Sequence, residues 1–85
     1  MLSALETKNK VTGVKQSMKA IREGRASRAY LAQDAAPSIL SPLEEACRAA
    51  GVETVPAESM AVLGRACGID VGAAVAVLLK PAAEP

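Results

Sequence analysis

Leu63-Gly64-Arg65-Ala66-Cys67-Gly68-Ile69-Asp70-Val71-Gly72-Ala73-Ala74-Val75-Ala76-Val77-Leu78-Leu79 is the stretch that decides the fold. It opens with a helical period and closes as a strand, with a short loop between. Ser59 is placed to cap a helix that turns Met60, Leu63 and Cys67 inward and stops at Gly68. From Ala73 to Leu79 the chain is all Ala, Val and Leu, uncharged, as a central strand covered on both faces requires. Gly68 and Gly72 bracket the loop, and Ile69 and Val71 stand near its tip.

Working outward, the apolar period switches repeatedly over short distances. Ser3 to Lys10 reads as a first helix, with Ser3 as N-cap and Glu6 completing a capping box. Val11-Thr12-Gly13 is a short β-branched strand, and from Val14 the period is helical, with Val14, Met18 and Ile21 on one stripe and Gly24 as the stop. Arg28 to Asp34 contains the strand Ala29-Tyr30-Leu31-Ala32, and Asp34-Ala35-Ala36-Pro37 turns the chain. Ser41-Pro42-Leu43-Glu44 predicts the start of a helix that runs through Cys47 to Ala50 and ends at Gly51. Val52 to Val55 predicts a strand closed by Pro56. Four strands alternating with helices predict an α/β protein: a three-layer α/β/α sandwich around a central mixed sheet. Residues 1–80 are expected to form one domain, with 81–85 expected to be a disordered, Pro-rich tail.

Composition narrows the function. The 85 residues include no His, which removes His-based acid–base catalysis and His-containing zinc sites. Tyr30 is the only aromatic residue, so bases have almost nothing to stack on, while 18 alanines predict an aliphatic core with close helices. Spacing alone leaves a Cys47–Cys67 disulfide open, but two cysteines without a secretory signal favour free thiols in a reducing cytoplasm. The longest uncharged apolar run, Val71 to Leu79, is nine residues, against about 20 for a membrane helix.

The formal net charge of +1 conceals an asymmetry. Residues 1–28 hold seven basic and two acidic residues, a balance of +5; residues 29–85 hold three and seven, a balance of −4. A basic first third points to a polyanion. Lys15, Lys19 and Arg22 repeat at i, i+4 and i+7, and like charges so spaced cost a helix a few tenths of a kcal/mol. Lys15 and Gln16 occupy the first turn, where bare N–H groups and the positive dipole end attract phosphate and long side chains reach base edges. A solvated amphipathic helix explains the same charges, and an ordinary helix stop and strand entry explains Gly68 to Ala74.

Three blocks together carry a resemblance. Gly13-Val14-Lys15-Gln16-Ser17-Met18-Lys19-Ala20, Ala32-Gln33-Asp34-Ala35-Ala36-Pro37 and Leu63 to Ala74 resemble, in this order, the kink-turn-binding ribosomal protein family. The match covers nearly the whole chain up to Leu79, and its last block is the specific one. The resemblance implies an α/β/α sandwich that binds RNA where a three-nucleotide bulge bends a helix beside sheared G·A pairs. The family's pattern Gly-x-Asn-Glu-x-x-Lys puts Lys15 in the Asn place, Gln16 in the Glu place and Lys19 on the Lys; small bacterial relatives resemble this chain there. A carboxylate lost and an ammonium gained shift the balance from guanine edges toward phosphate. Ile69, Asp70, Val71 and Gly72 match the loop that covers a bulged nucleotide.

The expected RNA-binding set is therefore Gly13, Val14, Lys15, Gln16, Lys19, Arg22, Ile69, Asp70, Val71 and Gly72, with Lys8 or Lys10 adding charge. The resemblance implies a cytoplasmic monomer without catalytic residues, cofactor or metal. The partner it implies is kink-turn RNA, ribosomal or riboswitch-like, in a ribosomal or ribosome-associated setting, and no membrane. A protein–protein adaptor on the same fold is the alternative function. A thiol redox enzyme at Cys67 is disfavoured, because a helix C-terminus raises a thiol pKa.

Overall fold

The uncharged C-terminal run forms the second strand of a four-stranded sheet. A computed structural model describes residues 9–80, which form β1 (Lys10–Thr12), α1 (Val14–Arg22), β2 (Ala26–Ala32), α2 (Pro37–Ala50), β3 (Glu53–Ala57), α3 (Met60–Ala66) and β4 (Val75–Leu79). The sheet order is β1-β4-β2-β3. β4 runs antiparallel to both neighbours, and β2 and β3 are parallel. The sheet is thus mixed and four-stranded, as the sequence predicts.

Strand alternation sorts the side chains into two cores. Ala29 and Leu31 of β2 and Val75 and Val77 of β4 pack with Ala20 and Ile21 of α1 and Leu43 and Cys47 of α2. Tyr30, Ala32 and Ala76 face the other way, onto Leu63 and Cys67. Two helices cover one face and α3 the other, which makes the α/β/α sandwich. An irregularity in the β2–β4 register, between Ala26 and Arg28, keeps Ala26 on the same side as Ala29 although they are three residues apart.

Several boundaries differ from the sequence reading. The predicted first helix falls on residues outside the described range except at its end, and there Lys10 already belongs to β1. The tail at 81–85 is also outside that range. α2 starts at Pro37, not after Ser41, with Ala36 extended before it and Pro42 inside the helix. Pro42 is tolerated because it and Ser38, the residue one turn back, both lie on the exposed side of the helix, where a lost backbone bond is least costly. Pro56 does not end β3 but sits within it, and β3 is an edge strand, where a missing N–H costs no pairing on the open side. Met60, predicted inward, is 36% exposed at the start of α3. Cys47 and Cys67 are buried free thiols.

The inward face of α1 is also rotated from its large apolar residues. Ser17, Ala20 and Ile21 are buried, Met18 is half-buried, and Val14 is exposed. Small residues decide this face because they let α1 approach the sheet and α2, a contribution that counting only large side chains overlooks. The Ser17 hydroxyl is fully buried without a hydrogen-bond partner. A buried donor without a partner costs about 1–3 kcal/mol, so Ser17→Ala is expected to be neutral or stabilising by up to about 1 kcal/mol. Urea unfolding at constant m-value checks this; a loss above about 1 kcal/mol would mean that the hydroxyl is satisfied.

Candidate nucleic-acid interface

One pairing brings the two predicted segments to the same place. β1 pairs antiparallel with β4, setting Thr12 opposite Ala76, and the Gly13 N–H donates to the Val75 carbonyl at 3.3 Å. The end of β1, where α1 begins, is therefore beside the start of β4, where the Gly68 to Ala74 loop arrives. The C-terminal ends of β2 and β3 finish at the same edge: Ala32 N–H donates to Ala74 O, and Gln33 N–H to Ala57 O, both at 2.9 Å. Every helix among the described residues starts from this end of the sheet.

Gly13 opens α1 with φ +91°, a conformation that a side chain would strain, and its backbone makes the turn from β1 directly into the helix. No side chain caps the first turn, and no acidic residue lies in it. The helix thus presents its positive dipole end together with exposed Lys15 and Gln16. Lys19 is exposed one turn further along. Exposed Val14 and half-buried Met18 border this stripe, so an apolar ledge lies beside the cations. Arg22 is also exposed, but it lies seven residues beyond Lys15, about 10 Å along the axis, beside Pro42 and Glu45 of α2.

The loop is held from beneath. Ile69 does not stand at its tip: it packs against the core on the α3 side, because the Ile69 N–H donates back to Gly64 O at 3.1 Å and draws the chain inward. Val71 is the apolar tip, 70% exposed, between exposed Asp70 and Gly72. The backbone of Val71 and Gly72 lies directly on Gly64, where a Cβ would overlap the Val71 carbonyl oxygen and come 3.1 Å from the Gly72 Cα. Gly64 is a supporting residue that the sequence reading did not single out. Its signal was a glycine inside a helical pattern, which costs about 1 kcal/mol unless something packs there. The Asp34 side chain carries no local signal either; its role depends on a contact 26 residues away, which no local pattern announces.

The fold divides the basic first third. Arg25 pairs with Glu23 at 3.0 Å, and Arg28 pairs with Glu53 at 3.3 Å and donates to the Tyr30 hydroxyl at 3.4 Å. The Tyr30 hydroxyl and the Glu53 carboxylate both raise the Arg28 pKa. Both arginines lie toward the start of β2, away from the Gly13 end. Lys10 stands on the α3 side, where its charge works against the burial that raises the Cys67 thiol pKa. Burial likewise raises Cys47. Neither cysteine is thereby activated as a thiolate at neutral pH. Among the described residues, no group of three His, Cys, Asp or Glu is placed to hold a metal, and no helix is long and apolar enough to cross a membrane.

An α/β/α sandwich whose strand-tip end joins an uncapped basic helix to a glycine-supported loop has the architecture expected of the kink-turn-binding ribosomal class. The chain belongs to the Ribosomal protein L7Ae/L30e/S12e/Gadd45 family, whose profile matches residues 1–84. It is 40% identical over 76 residues to an RNA-binding protein of Geobacillus sp. strain WCH70, covering 89% of this chain and 93% of that protein. It is 34% identical over 77 residues to the large ribosomal subunit protein eL8 of Halobacterium salinarum, covering 89% of this chain and 64% of the other. Among solved structures, a 15.5kD RNA binding protein of Giardia lamblia superposes with a TM-score of 0.84 at 31% identity, over 94% of this chain and 68% of that one.

Ala at position 64 would gain about 1 kcal/mol of helix propensity on an open helix. Here Gly64→Ala is expected to destabilise by about 1–3 kcal/mol, because its methyl must displace the Val71 carbonyl. Chemical denaturation checks the sign; a more stable variant would show that the loop does not rest on Gly64.

Proposed function

We propose that this chain is a non-catalytic cytoplasmic RNA-binding protein that recognises and stabilises kink-turns in structured RNA, ribosomal or riboswitch-like, as a monomer. The observation that carries the reading is the β1–β4 pairing, which sets the basic start of α1 beside the Gly68 to Ala74 loop. Lys15, Gln16 and the first-turn amides of α1 would face the guanine edges and adjacent phosphates. Lys19 would neutralise a phosphate, and Arg22 would add longer-range attraction. Val71 would cover the bulged nucleotide, with Asp70 and Gly72 beside it and Ile69 anchoring the loop. Family membership supports this reading, as do relatives named RNA-binding proteins.

Bending the RNA costs free energy that is recovered in contacts only once the kink forms. A protein with these contacts shifts a two-state RNA equilibrium toward the kinked form. A duplex carrying a kink-turn and a dye at each end should therefore show increased energy transfer on titration with the protein. No change at micromolar protein would remove the reading. Lys19→Ala is expected to weaken binding and to lower the slope of log affinity against log salt by roughly one unit. An unchanged slope would take Lys19 out of the phosphate contacts.

A further inference from the structure

Three segments far apart in the chain meet at the backbone of Met60. Its N–H donates to Asp34 Oδ1 at 2.8 Å. Its carbonyl accepts the Ala73 N–H at 3.0 Å. Gly72 lies against it so closely that a Cβ there would come 3.1 Å from the Met60 Cβ and 3.3 Å from the Met60 carbonyl oxygen. The turn after β2, the start of α3 and the end of the Gly68 to Ala74 loop are therefore joined through one peptide unit on each side of a single residue.

α3 has only seven residues, so beside the packing of Leu63 and Cys67 in the core, the contacts of its first turn help to set its position. Ser59 Oγ accepts the Val62 N–H at 3.1 Å, a cap within the helix's own sequence. Asp34 supplies the second acceptor from another part of the chain, and its negative charge suits the positive helix end. Ser59 stabilises the helix from within its own sequence; Asp34 ties its first turn to the turn after β2.

We infer that Asp34 is a positioning residue for the Gly68 to Gly72 loop, acting through Met60. By holding the first turn of α3 to the turn after β2, the carboxylate sets where the Met60 carbonyl receives Ala73 and where Gly72 rests. It thereby sets the height at which Val71 is presented. The effect on RNA rests on the proposed function; the latch itself does not. A charge role and a latch role make opposite predictions, since a carboxylate at a phosphate-binding edge would otherwise repel RNA.

Asp34→Ala and Asp34→Asn in the full chain separate these roles. Asn keeps an oxygen acceptor and removes the charge; Ala removes both. In the free protein, Asp34→Ala should speed amide exchange at Ala73 about three- to thirty-fold, the range that loss of one helix-terminal acceptor produces, while Val77 in β4 exchanges as before. Affinity for a kink-turn duplex should fall by a similar factor with an unchanged salt slope. Asp34→Asn should restore both readouts. Unchanged Ala73 exchange in Asp34→Ala, or equal acceleration at Ala73 and Val77, overturns the latch. Tighter RNA binding by both variants assigns Asp34 a repulsive charge instead and also overturns it. If the wild-type protein fails to fold the RNA, the RNA reading falls, while Ala73 exchange still decides the latch.

Discussion

The double burial of β4 is the constraint on which the rest depends. Val75, Ala76 and Val77 have no exposed face, and both edges of the strand are paired. Each fully buried Val contributes about 1.5–3 kcal/mol, and a one-residue slip would exchange the two faces and their packing partners. Register is thus strongly specified, and with it the neighbours of both strand ends. Because β1 runs antiparallel beside β4, the start of α1 lies next to the loop that enters β4. The candidate interface follows from that strand pairing and requires no special structure of its own.

Charge is sorted by the same sheet. A near-neutral total with a basic first third suggests a single basic face. The folded chain divides those cations instead: Arg25 and Arg28 into ion pairs, Lys10 to the α3 side, and Lys15, Lys19 and Arg22 along α1. Exposed ion pairs of this kind are worth little to stability, but they reduce the charge available to a polyanion. A compact basic stripe on a protein whose remaining charge is negative suits the proposed reading, in which a polyanion is attracted locally and weakly overall. Selectivity then falls to shape and to the few polar groups at the helix start.

Small residues do the fine positioning. With no Phe or Trp, the layers pack through Ala and short aliphatic side chains, and α1 settles on Ser17 and Ala20 as much as on Ile21. Gly64 lets the loop backbone lie on α3, and Gly72 lets it lie against Met60. Val71 stands exposed at the tip while Ile69 and Gly72 are held from below. An exposed apolar side chain on a supported loop is already ordered before it meets a ligand, which reduces the entropy lost on binding.

Much was legible in the residues themselves. An uncharged Ala/Val/Leu run read as a central strand, Ser59 as a cap that does accept the Val62 N–H, and the 15–19–22 spacing as an exposed basic stripe. These are local or periodic signals, dictated by backbone geometry and by burial of apolar surface, so the chain alone carries them. Other features were illegible for the complementary reason. The start of α2 at Pro37, the exposure of Val14 and Met60, the partial burial of Ile69 and the reach of Asp34 to Met60 all depend on a distant segment arriving. Local pattern alone located the strands and helices of residues 9–80 to within a few residues and marked the exposed cations and polar groups of α1. Tertiary structure alone decided which cations remain available and how the loop is held, because both are set by contacts between residues far apart in the chain.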